Sequence, residues 1–314
     1  MSTRGASAAP SQTFRSYVAS GLGDEVRRWE TYNATALVAL TCGVRDTQPL
    51  RAKQTNLVLP RLQIATIFGT PHHVSRSAEL VERFPTDSIT VYVGLGADTA
   101  FTSNGRRGVV RRGDVVVCDS DQPFERELGF GVSEFAVKVK RADLHDTLGI
   151  DVPHEVSLLS PHSNPAAHAL TRSAVTAIRT AGSRSVDELA VLELVGLLAA
   201  GDATAPEVRH RAMARAHIEA HLADRDLSAG RVAAATGISE RQLSRIFAAT
   251  GVSVPQYIRH RRLELARSIL VTGAAESTAD AARAAGFSSP AHFSQAFQQR
   301  FGVSAGSVRR AAAG

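Results

Sequence analysis

The sequence predicts an α+β protein with a strand-rich first part and an all-helical last third. Residues 34 to 140 contain short β-branched runs separated by Gly, Pro, Asp and Asn, as in small barrels and sandwiches. From Arg141 onward, apolar residues recur at three- and four-residue intervals, which indicates helices. Basic side chains are concentrated in the last third. The chain therefore divides into two modules that differ in structure and in charge.

Length and composition fit a globular protein with two ordinary domains. The chain has 314 residues, of which 44% are hydrophobic and 21% are charged. No run approaches about 18 consecutive apolar residues, so no membrane span is predicted. Residues 1–19 lack the apolar core of a secretory signal, and we expect a disordered tail there and a cytoplasmic protein. Cys42 and Cys118 lie in apolar runs, where buried free thiols are common, so no disulfide, metal site or cofactor is expected.

The net charge of +6 is unevenly distributed. Residues 206–314 hold 15 arginines and no lysine against 8 acidic side chains, whereas residues 1–205 hold 21 basic and 22 acidic ones. A neutral module followed by a basic module favours a nucleic-acid partner for the second one. A solvated helical surface can carry the same excess, so charge alone does not decide the partner.

The strand-rich region, residues 20–140, carries a strong hairpin signal. In "TSNGRRG" (102–108), Asn104-Gly105 lies between two strand-like runs, and both residues accept the positive φ of a two-residue turn. A helical hairpin is predicted next, over residues 141–205, from the periodic segments 164–182 and 185–201. The second segment is apolar on most of its circumference, which favours packing on both sides, and a second subunit could cover one of them. We expect this hairpin to serve in dimerisation and as a linker.

Residues 206–314 contain one structural unit twice. In "DLSAGRVAAATGISERQLSRIFAATG" (226–251), Ser228 and Ser239 are placed to cap two short helices around a turn at Gly237. The same order returns in "AARAAGFSSPAHFSQAFQQRFG" (281–302), with a cap at Ser289. Two matched units with coinciding turns predict two helix-turn-helix units, although alanine-rich packing helices would resemble either unit alone.

A single long helix is predicted between the two units, from about Pro255 to Thr272. At about 1.5 Å per residue it spans about 26 Å. Successive major grooves on one DNA face lie about 34 Å apart. Adding the widths of the helices, this spacer can hold two recognition helices in adjacent grooves, with DNA bending to absorb any mismatch.

These stretches closely resemble the AraC/XylS family of bacterial transcription regulators. The resemblance covers about residues 210–310 and includes Arg262-Leu263 with Ala266, Gly286-Phe287, and Phe301-Gly302. One departure is "SAGSVR" (304–309), where the family usually has Ser-Pro-x-x-Tyr-Arg. A weaker resemblance, in "HHVSRS" and "GVVRRGDVVVCDSDQPFE", links the first part to the cupin-like sensor of that family.

The resemblance implies a particular architecture and function. It implies an N-terminal cupin-like β-barrel with a helical hairpin, and a C-terminal all-α domain with two helix-turn-helix units. The implied function is that of a small-molecule-responsive transcription activator that binds promoter DNA as a homodimer and works with RNA polymerase. The effector itself is not indicated by the sequence.

Three groups of candidate site residues follow from helical face and from the family correspondence. The base-reading candidates are Arg241, Ser244, Arg245, Ala291 and Gln295. The candidates for contacts to the DNA backbone are Arg225, Ser228, His292, Arg259 and Arg262. The candidates for a carboxylate effector are Arg76, Arg111 and Arg112, which surface positions in turns would also explain. An arginine facing DNA can read guanine through two hydrogen bonds, or contact phosphate without specificity.

Two other classes of function compete with this one. A cupin-type metal enzyme fused to a DNA-binding domain would need clustered ligands. His72 and His73 are adjacent in a strand and point to opposite faces, and His217 and His221 lack the glutamate of a zinc-protease helix. No catalytic residue is therefore predicted. An effector-independent repressor or DNA-organising protein would leave about two hundred residues without a task.

Overall fold

The computed structural model describes residues 13–44, 48–152, 154, 157–159, 164–179 and 186–313. The chain divides into two compact units. Unit 1 comprises Met1–Ala174 and Leu194–Thr204, and unit 2 comprises Val175–Glu193 and Ala205–Gly314. No helix within the described segments has the length and apolar character that crossing a lipid bilayer requires.

Unit 1 is built mainly from β-strands, whose bounds are β1 Thr13–Gly21, β2 Thr41–Gly43, β3 Leu50–Val58, β4 Leu62–Gly69, β5 His72–Arg76, β6 Ser88–Gly94, β7 Thr99–Ser103, β8 Arg106–Val110, β9 Val115–Asp119, β10 Phe124–Leu128, β11 Val132–Lys140 and β12 Ser157–Leu159. They form a seven-stranded sheet in the order β1-β3-β4-β11-β6-β9-β12 and a five-stranded sheet in the order β2-β5-β10-β7-β8. Each pairing between named strands is antiparallel.

The two sheets do not close on each other in the described residues, so the predicted cupin-like β-barrel is not confirmed. Strands β1 and β12 end one sheet, and β2 and β8 end the other. The predicted hairpin turn is present, since Asn104 and Gly105 have φ values of 50° and 71° and join β7 to β8. The fold class is mixed α and β, as predicted.

Two parts of unit 1 differ from the sequence predictions. Strand β1 begins at Thr13 and pairs with β3 along its whole length, although residues 1–19 were predicted to be a disordered tail. Of that segment, residues 1–12 lie outside the described residues. The strand-like runs were predicted to start at residue 34, but residues 34–36 end helix α1 (Asp24–Ala36), which packs against β1 and buries Trp29. Both differences arise from pairing and packing between distant segments.

The interior of unit 1 is apolar except for a few buried polar groups. Arg126 and Glu134 form a buried bidentate ion pair with nitrogen–oxygen distances of 2.7 and 2.5 Å. Burial raises the pKa of both the Cys42 and the Cys118 thiols to about 12. The thiols are therefore protonated and unreactive at neutral pH.

The helices of the rest of the chain follow the predicted order and are preceded by two short ones. Their bounds are α2 Ala78–Arg83, α3 Arg141–Leu148, α4 Pro165–Arg179, α5 Glu188–Ala200, α6 Pro206–Ala220, α7 Ala229–Thr236, α8 Glu240–Ala248, α9 Val254–Val271, α10 Thr278–Ala284, α11 Pro290–Phe301 and α12 Ala305–Ala313. The helices from α6 to α12 include the two predicted helix-turn-helix units and the long helix predicted between them. In the departing "SAGSVR" segment, the Ser304 hydroxyl lies at the start of α12 and accepts a hydrogen bond from the Ser307 amide at 3.1 Å.

Candidate nucleic-acid interface

The first helix-turn-helix unit is formed by α7 and α8. Gly237 ends α7 with a φ of 70°, a left-handed conformation that favours glycine. The Ser239 hydroxyl then caps α8 by accepting from the Gln242 amide at 3.2 Å. Helix α8 buries Leu243, Ile246 and Phe247. Because one face is buried, the opposite face is left to solvent, and there Arg241, Ser244 and Arg245 are exposed.

The second unit, formed by α10 and α11, repeats this construction. The Ser289 hydroxyl accepts from the His292 amide at 3.3 Å, and Pro290 occupies the first helical position. Helix α11 buries Phe293, Ala296 and Phe297. Its exposed face carries Ala291, Ser294, Gln295 and Gln298. All five predicted base-reading residues therefore lie on exposed faces of the two second helices.

Helix α9 joins the two helix-turn-helix units, and Arg262 on α9 holds these two units together. Its Nε donates to the Leu222 carbonyl at 2.9 Å, and its Nη2 donates to the Asp224 carbonyl at 2.5 Å. Gly286, at the turn of the second unit, has a φ of 86°, and a Cβ there would lie 2.4 Å from the Leu222 oxygen and 2.8 Å from Arg262 Nε. Only glycine fits this close approach. The turn of the second unit therefore touches the end of α6 directly.

A groove of about 500 Å³ lies between the two helix-turn-helix units, within unit 2. The five residues predicted to contact the DNA backbone all line it. They are Arg225, Ser228, Arg259, Arg262 and His292. The rest of its lining is apolar or uncharged, and none of the residues named for the groove is acidic. The sequence separates these five residues by as many as 67 positions, and the fold of α7, α9 and α11 brings them together.

The structure changes the role predicted for one of these five residues, Arg262. It was predicted to contact phosphate, but it is half-buried and two of its guanidinium nitrogens are bonded to backbone carbonyls. Its principal role is to hold the loop that follows α6. Arg225 and Arg259 are exposed, so their charge faces solvent in the groove.

The three predicted effector-binding arginines do not form one site. Arg76 is 1% exposed, and its guanidinium donates to the carbonyls of Ser120, Ala39 and Phe84 at 2.6 to 2.8 Å. Arg76 therefore ties three segments of the backbone together and is not available to a ligand. Arg111 and Arg112 are exposed at the turn before β9, away from that network. Their assignment stays a prediction.

Sequence reasoning missed a buried polar cluster beneath the first helix-turn-helix unit. The Tyr257 hydroxyl donates to Asp187, and the Arg211 guanidinium donates to Glu193. Burial would raise the pKa of Asp187, but Arg261, Arg215 and the Tyr257 hydroxyl together hold it below its ordinary value. No local pattern reveals such a cluster, because its members come from α6, α9 and the start of α5.

The histidines considered as metal ligands have other surroundings. The rings of His217 and His221 stack with their centres 4.1 Å apart, and the His221 Nδ1 lies 2.8 Å from the His217 carbonyl oxygen. His72 is buried and its Nδ1 lies 2.7 Å from the Thr70 carbonyl oxygen, whereas His73 points to the other face of β5. Across the described segments, no three His, Cys, Asp or Glu side chains are grouped so as to hold a metal ion.

Comparison with known proteins supports a DNA-binding role. The helix-turn-helix domain family matches residues 232–311. The transcriptional activator NphR of Rhodococcus sp. is 28% identical over 262 residues, covering 79% of this chain and 78% of that protein. The crystal structure of the AraC-like transcriptional activator CuxR covers 79% of this chain and 94% of its own, at 19% identity and a TM-score of 0.47. A regulator with an AraC-type DNA-binding domain from Chromobacterium violaceum covers 33% of this chain and 93% of its own, at 30% identity and a TM-score of 0.32.

Proposed function

Since this chain is a DNA-binding transcription regulator of the AraC type, we propose that it recognises defined promoter sequences through both helix-turn-helix units and activates the adjacent genes. The observation that carries this proposal is the joint placement of the two exposed faces and the groove. The second helix of each helix-turn-helix unit presents polar or small side chains to solvent. The groove, which has no acidic residue in its lining, lies between these two helix-turn-helix units.

The first helix-turn-helix unit, α7 and α8, supplies most of the sequence discrimination in this proposal. Arg241 and Arg245 project from the exposed face of α8 and can each donate two hydrogen bonds to a guanine edge. One such pair discriminates by about 1–3 kcal/mol against the wrong base. In the second unit, Gln295 can pair with adenine and Ala291 can meet a thymine methyl group.

The groove supplies affinity that is independent of sequence. Arg225, Arg259 and His292 line it together with Ser228, the residue that caps α7. Cationic side chains and helix N-termini both favour phosphate oxygens. DNA crossing this groove would pass from one recognition helix to the other.

Unit 1 is proposed to bind a small-molecule effector and to set the activity of unit 2. A ligand that binds one conformation better than another shifts an existing equilibrium by its difference in affinity. The protein is proposed to act as a homodimer through the first part of the chain and to engage RNA polymerase at the promoter. The relative NphR, which aligns over most of both chains, is itself described as a transcriptional activator.

Binding to fragmented genomic DNA tests this function. At about 0.15 M salt, where non-specific phosphate binding is weak, the purified protein should retain discrete sites, which sequencing would identify. Arg245→Ala should lose the discrimination between these sites and random DNA, because it removes a base contact. Arg310→Ala is the matched control, since Arg310 is an exposed arginine on α12 outside the groove and the recognition faces. Uniform retention of all fragments, with and without Arg245, would point to a DNA-organising protein instead.

A further inference from the structure

We propose that unit 1 binds a small monocarboxylic acid in a cleft at the open edge of its two sheets, with the carboxylate on Arg106. This inference rests on the proposed function only in so far as unit 1 is taken to respond to a small molecule. The cleft has a volume of about 420 Å³. It is lined by β7, β8, β9 and β12, so it lies where the edge strand of one sheet faces the edge of the other.

The register of the β7–β8 hairpin places Arg106 over the core. Ser103 pairs with Arg106, and Phe101 pairs with Gly108. Paired residues share a face of the sheet, and Phe101 and Ser103 are buried. Arg106 and Gly108 therefore lie on the inward face of β8, although β8 is an edge strand.

The floor of the cleft is apolar and close-packed. Phe101, Val110 and Val116 line it, and each is 5% exposed or less. Gly108 leaves the space above this floor open, because a Cβ at Gly108 would meet only Leu158, at 3.4 Å. The cleft thus offers an apolar surface of the size that binds small organic molecules, for which typical pockets measure about 300–1,000 Å³.

Arg106 is the polar anchor of this cleft. Within the described part of the chain, its guanidinium makes no hydrogen bond or ion pair with another residue, and none of the residues lining the cleft is acidic. Arg107 and Asn104 lie at the same rim. A guanidinium presents two parallel N–H donors that match a carboxylate, and such charge-assisted pairs are about twice as strong as neutral hydrogen bonds. The cleft therefore selects an anion with an apolar body.

The interior cavity of unit 1 is a poorer candidate. It measures about 30 Å³ and is lined by the Arg126–Glu134 pair, by Asn33, His72 and Tyr92, and otherwise by apolar side chains. That volume is far below the about 300–1,000 Å³ of typical ligand pockets, so an organic ligand does not fit there without displacing side chains. The Arg126 charge is also neutralised by Glu134. Stacked Phe101 and Phe124, with ring centres 5.4 Å apart, border the cleft and the interior cavity respectively.

Thermal unfolding and calorimetric titration of the full-length protein test the proposal. The probes are hexanoate and cyclohexanecarboxylate, each compared with its own amide, which keeps the shape and removes the charge. At about 100 times its dissociation constant, a bound acid should raise the Tm of the protein by about 5 °C, and the amide should not.

Two variants locate the binding site. Arg106→Gln should weaken acid binding about tenfold or more, because it replaces a charged pair by a neutral hydrogen bond. Gly108→Val should abolish binding by filling the cleft, whereas Gly108→Ala should weaken it less. Arg51→Gln is the matched control for charge, since Arg51 is exposed on β3 and does not line the cleft. The affinity of this control variant for both acids should equal that of the unmodified protein.

Several outcomes would overturn the proposal. Equal stabilisation by acid and amide, unchanged affinity in Arg106→Gln, or no binding of either acid would each exclude this site and ligand class. The proposed regulatory function is tested separately, by titrating promoter DNA in the absence of any acid. If the protein selects its promoter but binds neither acid, the proposal for the cleft is refuted and the proposed DNA-binding function is unaffected.

Discussion

The two helix-turn-helix units share one scaffold and carry different side chains on it. Counted from the capping serines Ser239 and Ser289, the eighth helical position is a fully buried phenylalanine in both units, Phe247 and Phe297. The second and sixth positions differ, since they hold Arg241 and Arg245 in the first unit and Ala291 and Gln295 in the second. The residues that build the fold and the residues proposed to read bases thus occupy separate positions, so the exposed face can change while the fold is kept.

The cores beneath the two units also differ. In the first, Arg215 lies over both the Phe247 and the Tyr257 rings, 6.0 and 5.3 Å from their centres, so the aromatic core adjoins buried charges. In the second, Phe293, Phe297 and Phe301 pack one after another as tilted ring pairs, with centres 5.4 and 4.6 Å apart. The aromatic core of the first helix-turn-helix unit thus adjoins a buried arginine, whereas that of the second is extended by further phenylalanine rings.

The largest effect is expected where the scaffolds agree. Phe247→Ala and Phe297→Ala should each lower the free energy of unfolding of unit 2 by about 3–5 kcal/mol, because each leaves a cavity in a close-packed core. Urea unfolding followed by circular dichroism measures both values. A loss below about 1 kcal/mol for either variant would show that its unit is not built around this ring.

Alanine substitutions on the two exposed faces measure how much each face contributes to discrimination between DNA sequences. Arg245→Ala should reduce the preference for operator over random DNA by about 1–3 kcal/mol, and Gln295→Ala should reduce it less, because the second unit offers fewer donors. Competition titration at fixed salt gives both ratios. Equal losses in the two variants would mean that the second unit contributes as much discrimination as the first.

Acid should distinguish the two cores. Asp187 has a pKa below its ordinary value, so its contribution to stability is present above the pKa of the unfolded chain and is lost as the pH falls through the folded value. Asp187→Asn removes the charge and replaces one of the two oxygens that accept from the Tyr257 hydroxyl and the Ala190 amide by an NH2 donor. It should cost about 1–2 kcal/mol at pH 7. The difference from the unmodified protein should be largest above the pKa of the unfolded carboxyl group and should shrink as the pH falls below it, and urea unfolding over a series of pH values measures it. A difference that is constant with pH would contradict a role for the Asp187 charge.

The smallest effect is expected at the caps. Ser239→Ala and Ser289→Ala each remove one hydroxyl that accepts from a helix amide, and each should cost about 1 kcal/mol in the free energy of unfolding. Thermal unfolding of both variants tests the equivalence of the two caps. Threonine at either position is the control, since its hydroxyl also caps and should restore most of the loss.

Local signals make the helix-turn-helix units predictable from sequence. Capping serines, the glycine at the turn and the apolar stripe all act within about 25 residues, so the roles of Ser239, Gly237 and Phe247 follow from the residues around them. What the sequence does not reveal depends on distant pairing. Strand β1 forms because it pairs with β3, whose partner residues lie 29 to 45 positions further along the chain, and its sequence alone resembles a polar tail.

The same limit explains the errors at individual arginines. Arg76 and Arg262 look like solvent-facing charges in the sequence, yet both are used to bind backbone carbonyls from other segments. A charged side chain does not show its partners in its own neighbourhood. Arg225 and Arg259 were assigned to the same role as Arg262, and the fold leaves these two exposed.

The close approach of Gly286 to the end of α6 bears on how operators can evolve. Because this contact and Arg262 fix the second helix-turn-helix unit against the first, the protein sets the span between the two DNA segments that the units are proposed to contact. One base pair inserted between those segments would move one of them by about 3.4 Å and turn it by about 35° around the DNA axis. Promoters that acquire such an insertion lose one contact entirely, whereas a base substitution weakens only a single pair. Operator sequences for this protein should therefore vary in composition and stay constant in length.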